Sequence, residues 1–494
     1  MIKKIKSFLF ENKTAKQTVA KNTFWLGVAT IASRIIKSII IIYAARILGA
    51  ENYGIFSYAL SLAAVFSIFA DIGMTAILTR ETVREPHMLQ KNISTAFVIK
   101  LFLAAGSMLL VGGVAPFFVA IKGAASLLPL AALLIAFDSL RDFSASITRA
   151  WEKMEIEAGI NMVTGIGITV FGLIAILISP TPILLMTGYV AGAGLGLLVA
   201  GILLGKYLKK FWLYFDWNLA KKLIMESMPF ALMIILNAIT INIDAIMIGW
   251  IKGTEAVGLY AAAQRPILLL YMASSLLASS AFPMIARFAK KDDIKVKSIT
   301  EKIMTISLLS SAPIFLGGAI LSSQIIELVF GSGYLAASST FAVLLFTVVL
   351  VFPAATMLNT VFAYGQQKIM VYSLLIGGIS NLIFDYIFIN RYGIIGSAYA
   401  TILSQMMAYG LVLWKLKKIN NFKIFAHFKK GAGALAIMVV STLLMKMVGT
   451  HVLINVAVSA AVYFLALIIL KEKMVEEARS MLKMENAISA PDIS

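Results

Sequence analysis

Long apolar runs separated by short charged segments dominate the 494-residue chain. A helix of about 20 apolar residues, or about 17–25 with tilt, crosses the hydrocarbon core of a bilayer. By this criterion we predict fourteen transmembrane helices, at residues 20–45, 53–78, 93–115, 124–147, 158–178, 183–205, 224–250, 259–282, 299–322, 335–362, 366–389, 393–414, 430–449 and 451–470. The expected fold class is therefore all-α, a polytopic membrane protein.

The distribution of lysine and arginine predicts how these helices are oriented. If the N-terminus lies in the cytoplasm, 34 of the 43 basic residues fall in cytoplasmic ends and loops, five in external loops and four within spans. Cytoplasmic loops of membrane proteins carry an excess of Lys and Arg, and one miscounted span would reverse every later loop. The bias therefore favours an N-in, C-in topology in the cytoplasmic (inner) membrane.

A six-residue pattern, G-x-E-x-x-G, occurs at residues 49–54 and again at 253–258. The offset corresponds to six spans, and an even number preserves orientation, so the pattern indicates a parallel repeat. The alternative is a tight-turn chemistry that merely suits glycine in both places.

The repeat predicts two pseudo-symmetric six-helix lobes followed by two extra helices. We expect six segments in chain order: a cytoplasmic N-terminal segment, the N-lobe, a cytoplasmic linker, the C-lobe, the two extra helices and a cytoplasmic tail. Their predicted bounds are 1–19, 20–205, 206–223, 224–414, 430–470 and 471–494.

Composition makes several other classes of protein poor candidates. Apolar residues make up 60% of the chain and charged residues 14%, whereas soluble domains are roughly 45–50% apolar and about 25% charged. The net charge of +19 is explained by cytoplasmic loops rather than by nucleic-acid binding. With no cysteine and three histidines we expect no metal site and no cofactor. Short external loops without a large acidic domain argue against an enzyme.

Several stretches of the chain resemble a known family of transporters. Residues 44–62 read AARILGAENYGIFSYALSL and are followed by Asp71-Ile72-Gly73 and Arg80. Residues 149–155 read RAWEKME, and residues 392–398 read YGIIGSA. These look like the first helical pair, the cytoplasmic loop after the fourth helix and the entry to the twelfth helix of the polysaccharide transporter family. That family contains the O-antigen and related oligosaccharide flippases of the multidrug/oligosaccharidyl-lipid/polysaccharide exporter superfamily.

The resemblance implies a two-lobe flippase that works by alternating access. Its implied cargo is a polyprenyl-(pyro)phosphate-linked oligosaccharide, moved from the cytoplasmic to the outer leaflet for cell-surface polysaccharide or glycan assembly. The implied partners are this lipid-linked oligosaccharide, membrane lipids and a proton or sodium ion, and one chain with its own cavity is expected to work as a monomer. A cation-coupled multidrug exporter and a peptidoglycan-precursor flippase of the same superfamily remain alternatives.

One face of the first span carries candidate cargo-binding residues. Thr30, Ser33, Arg34 and Lys37 fall within about 100° of arc, opposite a face of isoleucines. A charge inside a span costs about 2.5–3.5 kcal/mol on insertion scales, so it usually faces a wet cavity or a charged partner. Arg34 and Lys37 can offset the lost hydration of a cargo phosphate. Alternatively, carboxylates on neighbouring helices neutralise them.

Two further cations lie within predicted spans. Arg265 stands before Pro266 in the eighth span and is the third expected cargo-binding cation; its alternative role is cation–π packing. Lys100 lies early in the third span, and we expect its side chain to snorkel to the cytoplasmic interface.

The seventh span, which corresponds to the first in the repeat, carries candidate ligands for a coupling ion. Asn237, Thr240 and Asp244 fall within about 60° of arc. A carboxylate in the membrane could exchange a proton, or bind sodium together with the amide and hydroxyl oxygens. Alternatively, Asp244 forms a salt bridge with one of the three cargo-binding cations. Asp385 in the eleventh span is a second candidate ion site.

Overall fold

The structure is a computed structural model that describes residues 15–208, 214–422 and 429–472. Most of the predicted N-terminal segment, 1–19, and of the tail, 471–494, lies outside the described residues, as does part of the linker 206–223. Within the three described ranges all regular secondary structure is helical. The predicted all-α fold class is therefore confirmed.

The chain divides into two compact units, Met1–Ala261 and Ala262–Ser494. The helices of the first unit are α1 (Ala15–Phe66), α2 (Met74–Arg84), α3 (Leu89–Met108), α4 (Lys122–Ala125), α5 (Leu128–Ala150), α6 (Met154–Ile178), α7 (Pro182–Leu208) and α8 (Trp217–Lys252). Helix α9 (Thr254–Phe288) begins in the first unit and continues into the second. The remaining helices are α10 (Asp293–Ile320), α11 (Ser322–Phe330), α12 (Ser338–Leu344), α13 (Phe346–Ala363), α14 (Gln367–Tyr392), α15 (Ile394–Asn420), α16 (Lys429–Met447) and α17 (Val452–Ile469). The lobe bounds stay predictions.

Eleven helical stretches of the described residues are long and apolar enough to cross a membrane. The protein is thus a multi-pass membrane protein, and the difference from fourteen has local causes. One stretch, Trp25–Ala70, contains two predicted spans, which are separated by a kink at Gly49, where the backbone is not helical. Helices α5 and α15 coincide with predicted spans but are not among the eleven. Helix α5 carries four charged residues, and α15 has serine, threonine, glutamine and tyrosine among its apolar residues, which lower its mean hydropathy. The count of fourteen and the N-in topology remain predictions.

Each unit has its own apolar core. In the first unit, α2, α3, α5 and the start of α8 meet around Leu78, Ile93, Phe143 and Leu223. In the second unit one cluster joins α9, α10, α13 and α15, and another joins α10 to α16 and α17, the two extra C-terminal helices.

Close packing of α6 against α7 depends on glycine. A Cβ atom at Gly188 would lie 2.8 Å from the Cα atom of Gly172, and one at Gly196 would overlap the hydroxyl of Thr164. Helices in a bilayer gain little from hydrophobic burial against each other, so small residues that allow close approach hold them together.

The two G-x-E-x-x-G hexads contact each other within the first unit. A Cβ atom at Gly54 would overlap the carbonyl oxygen of Thr254, and one at Gly258 would overlap that of Ala50, so the contact is reciprocal. The first glycine of each hexad has a positive φ, 71° and 87°, in the left-handed region that favours glycine. The hexads therefore form equivalent turns as well as equivalent sequences.

Ion pairs join α2 to the beginning of α8. Arg80 pairs with Glu226, and the Nζ atom of Lys222 lies 3.3 Å from Glu81. Burial opposes ionisation of Glu81, but hydrogen bonds from Arg80 and Lys222 prevail and hold the pKa of Glu81 below its ordinary value.

Gly54→Ala and Gly258→Ala are each expected to destabilise the protein by about 1–3 kcal/mol, because the added methyl group would overlap backbone rather than a flexible side chain. Thermal unfolding of the purified protein in detergent measures the effect. Gly27→Ala is the matched control, since no atom lies within 4 Å of its added Cβ. Equal melting temperatures for all three variants would contradict the close contact.

Glu81→Gln is expected to lower the melting temperature at pH 7. Because the folded-state pKa of Glu81 is lowered, its stabilisation is fully present above the ordinary carboxyl pKa of 4.5 and is lost as the pH falls through the lowered folded-state value. The difference from wild type should therefore shrink in acid. Glu51→Gln, which removes an exposed carboxylate, is the control. A difference between Glu81→Gln and wild type that stays constant with pH would argue against the ion pairs.

Candidate functional site

Arg34 and Lys37 lie one turn apart on α1, and neither forms an ion pair within the described residues. The Arg34 side chain is exposed and that of Lys37 is half-buried. Lys37 nevertheless interacts electrostatically with Asp138 and Asp142 of α5. Lys37 is therefore close to acidic residues without forming an ion pair with them.

The acidic residues of α5 are bound by a cation of their own helix. The guanidinium of Arg141 lies 2.6 Å from a carboxylate oxygen of Asp138 and 2.8 Å from one of Asp142. Charge-assisted contacts of this kind are the strong class of hydrogen bond. This pairing satisfies Arg141 inside the helix and leaves only a longer-range attraction toward Lys37.

Two cavities of about 340 Å³ each lie in the first unit and share Asp71 and Asp142 in their walls. The more polar of the two is called the polar chamber here. It is lined by Thr30, Asp71, Thr75, Arg141, Asp142, Ser144, Ala145, Arg149, Glu157, Ile160 and Asn161. Thr30, a predicted cargo-binding residue, therefore lies on this chamber.

Lys100 lines the neighbouring cavity, and its side chain is fully buried and hydrogen-bonded to Asp71. The prediction that it snorkels to the interface was wrong. The carboxylate of Asp71 pairs with the ammonium group inside the protein, and this pairing replaces the hydration that the group would find at the interface.

Ser33 occupies a different environment from Thr30 and Arg34. Its hydroxyl donates to the backbone carbonyl of Asn161 at 3.1 Å, and a Cβ atom at Gly165 would overlap it. The structure therefore places Ser33 in the packing interface between α1 and α6.

Arg265 lies on α9 in the second unit, next to Pro266. Its side chain is half-buried, and its buried Nε atom has no hydrogen-bond partner among the residues described. A guanidinium donor left without a partner is costly unless a ligand or water satisfies it.

The three predicted ligands on α8 have different surroundings. Asp244 is buried, and its carboxylate accepts a hydrogen bond from the hydroxyl of Tyr260. Asn237 is exposed, and the Thr240 hydroxyl donates to the carbonyl of Leu236 at 2.7 Å. Tyr260, which lies on α9 two residues after the second hexad, was not predicted as a partner of Asp244, because nothing in the sequence links the two residues.

Asp385 is fully buried on α14, one turn after Asn381, which sequence reasoning also missed. Neither polar atom of the Asn381 side chain has a hydrogen-bond partner in the described chain, and the same holds for the buried hydroxyl of Ser397 on α15. The two helices form an antiparallel pair in which Ser373 donates to the carbonyl of Ala408 at 3.0 Å. An asparagine four residues before the aspartate was the available sequence signal.

The second unit contains an apolar cavity of about 800 Å³. Its walls come mainly from α10 and α17, and the lining residues include Pro313, Phe341, Met438 and Phe464. The hydroxyl of Tyr463, another lining residue, donates a hydrogen bond to the carbonyl of Leu309 at 2.8 Å, so it is already satisfied within the protein. No group of three or more His, Cys, Asp or Glu side chains in the described ranges is placed to hold a metal ion.

Similarity to known proteins agrees with this architecture. The fold is similar to that of the lipid II flippase MurJ in an inward closed conformation, with a TM-score of 0.73 and 20% identity over 91% of this chain and 99% of that one. The chain is 22% identical to a putative O-antigen transporter of Shigella flexneri, over 80% of this chain and 97% of that protein. It is 29% identical to a probable low-salt glycan biosynthesis flippase, Agl15, of Haloferax volcanii. That match spans about a third of each protein, 33% of this chain and 34% of the relative.

A family model described as polysaccharide biosynthesis protein matches residues 19–289, which is more than half of the chain. The stretches at residues 44–62 and 149–155 that carried the resemblance lie within the matched region. The chain therefore belongs to the polysaccharide biosynthesis protein family.

Proposed function

We propose that this protein is a flippase that moves a polyprenyl-(pyro)phosphate-linked oligosaccharide from the cytoplasmic to the outer leaflet by alternating access. The observation that carries the proposal is the pair of cations on α1, Arg34 and Lys37, which form no ion pair within the described residues. A cargo phosphate loses hydration on entering a low-dielectric region, and fixed cations offset that loss. The buried Nε atom of Arg265, which has no hydrogen-bond partner among the described residues, suits the same role.

The apolar cavity of the second unit suits the polyprenyl part of such a cargo. Its volume is about 800 Å³, and its mostly apolar walls offer few hydrogen-bonding groups to a polar ligand. An isoprenoid chain needs none, and it can move between lipid and an apolar protein surface at little cost.

The names of two relatives support a lipid-linked glycan as the cargo. One is a putative O-antigen transporter and the other a probable flippase of glycan biosynthesis. The cations on α1 disfavour the drug-exporter alternative, because a cationic drug would be repelled there. The likeness to MurJ concerns the fold, so a peptidoglycan precursor remains an alternative cargo.

Transport is coupled to a cation that binds on α14 in this proposal. The buried amide of Asn381 without a partner costs about 1–3 kcal/mol, and a ligand would recover that energy. Asp385, one turn away and fully buried, supplies the charge for a proton or a sodium ion. Asp244 is a second proposed ion site, with Tyr260 as its neighbour in place of Asn237 and Thr240.

Arg34→Ala and Lys37→Ala are each expected to lower the transport rate by about 10-fold to 100-fold, because each removes a charge-assisted hydrogen bond to the phosphate worth about 1.5–3 kcal/mol. Reduced complementation of a flippase-deficient strain detects this loss. Arg34→Lys should retain part of the activity. The control is Lys122→Ala, which removes an exposed cation outside the α1 face. Full activity of both alanine variants at normal expression would refute the phosphate role.

Asp385→Asn and Asn381→Leu are expected to abolish the dependence of transport on a sodium or proton gradient. Flipping of a fluorescent lipid-linked sugar in proteoliposomes, with and without each gradient, measures this. Asn390→Leu, at an exposed asparagine of the same helix, is the control. Gradient-stimulated transport that persists in both variants would place the coupling site elsewhere.

A further inference from the structure

Two of the three carboxylates of the polar chamber, Asp71 and Asp142, keep one oxygen available each. Asp71 uses its Oδ1 atom to accept hydrogen bonds from Lys100 and, at 3.1 Å, from Thr75. Asp142 uses its Oδ1 atom to accept from Arg141 at 2.8 Å. In the described part of the chain neither Oδ2 atom has a hydrogen-bond partner. The chamber thus presents two strong acceptors to a ligand.

Neutral polar groups complete the walls. The side-chain amide of Asn161 makes no hydrogen bond to any described residue, although its backbone carbonyl anchors Ser33. Thr30 has an exposed side chain whose hydroxyl is likewise without a partner within the described ranges. An amide and a hydroxyl both donate and accept, so the chamber matches a ligand with several hydroxyl or amide groups.

The cations around the chamber are already bound. Arg149 holds Glu157 through two hydrogen bonds of 2.6 and 2.9 Å. Arg141 lies between two aspartates and Lys100 is bonded to Asp71. Together the two cavities are lined by four carboxylates and three cations, which leaves a formal charge of −1. An anionic ligand group would find no unpaired cation here and would face Asp142, whose side chain is 56% exposed.

The chamber lies next to the cations proposed to bind phosphate. Thr30, on its wall, precedes Arg34 by one turn of α1, which corresponds to about 6 Å along the helix axis. That distance is about the size of one sugar ring. A phosphate bound at Arg34 would therefore place the sugar attached to it at the chamber.

We infer that the polar chamber binds the phosphate-linked sugar of the cargo, and that it accepts neutral sugars and rejects uronic acids. The inference rests on the proposed function and adds the class of sugar that the same site takes. Hydroxyl and acetamido groups would donate to Asp71 and Asp142 and pair with Asn161. A uronic carboxylate would meet these aspartates while the cations on the chamber walls are bound to carboxylates and Arg34 and Lys37 are occupied by the cargo phosphate, so the repulsion would not be offset.

Binding of three short-chain probes to the purified full-length protein in nanodiscs tests the inference. The probes are farnesyl pyrophosphate alone and the same lipid carrying either N-acetylglucosamine or glucuronic acid. We expect wild type to bind the N-acetylglucosamine probe about tenfold more tightly than the glucuronic acid probe, since like charges in a site repel strongly. Asp142→Asn should reduce this preference to less than about threefold, mainly through tighter binding of the uronic acid probe.

Two further variants keep the test decisive. Asn161→Leu should weaken binding of the N-acetylglucosamine probe and leave farnesyl pyrophosphate unaffected, and it serves if Asp142→Asn does not fold. Glu51→Gln removes one exposed carboxylate far along α1 from the chamber and should change none of the three affinities.

Results that would overturn the inference about the chamber differ from results that would overturn the proposed function. If all three probes bind wild type equally, or if Asp142→Asn and Asn161→Leu both keep the full preference, the inference about the chamber is overturned. In that case the proposed function survives as long as binding of farnesyl pyrophosphate is lost in the Arg34→Ala and Lys37→Ala variants. If those variants bind farnesyl pyrophosphate as wild type does, the proposed function itself fails.

Discussion

The cost of placing an ionised side chain inside a bilayer governs the chemistry of the first unit. Arg141, Lys100 and Arg149 each meet that cost by binding a carboxylate. Arg34 and Lys37 do not, and their charges remain available within the described residues. Within the described residues the structure therefore separates cations that are bound to carboxylates from cations that are not. Composition alone counts all of these cations as equivalent, whereas the structure distinguishes, among the residues it describes, the paired ones from the unpaired ones.

A lipid-linked glycan has three chemically different parts, and the proposal gives each part an environment of its own. The proposed roles assign the phosphate to the α1 cations, the sugar to the polar chamber and the isoprenoid chain to the apolar cavity of the second unit. Each assignment rests on a different physical term: charge compensation, directional hydrogen bonding and dispersion without hydrogen bonds. The binding energy of such a cargo would be distributed among these terms rather than concentrated in one pocket.

Sequence patterns predicted the helices and the polar face of α1 because both depend on neighbours within a few turns. Partners from distant helices could not be predicted in this way. The prediction for Lys100 was wrong because its partner, Asp71, lies 29 residues earlier in the sequence and comes close to it only in the folded bundle. The chamber and the apolar cavity were missed for the same reason: their walls combine residues from several helices. Ser33 shares a helical face with Arg34 by spacing, yet α6 packs against it.

The reciprocal contact between the hexads makes each turn a support for the other. When residue i of one segment meets residue j of another, and j meets i, the arrangement has the pattern of an isologous interface between two identical molecules. Because both hexads lie in one chain, this contact does not depend on protein concentration, and the helices that follow each turn can differ in sequence while the turns hold each other in place.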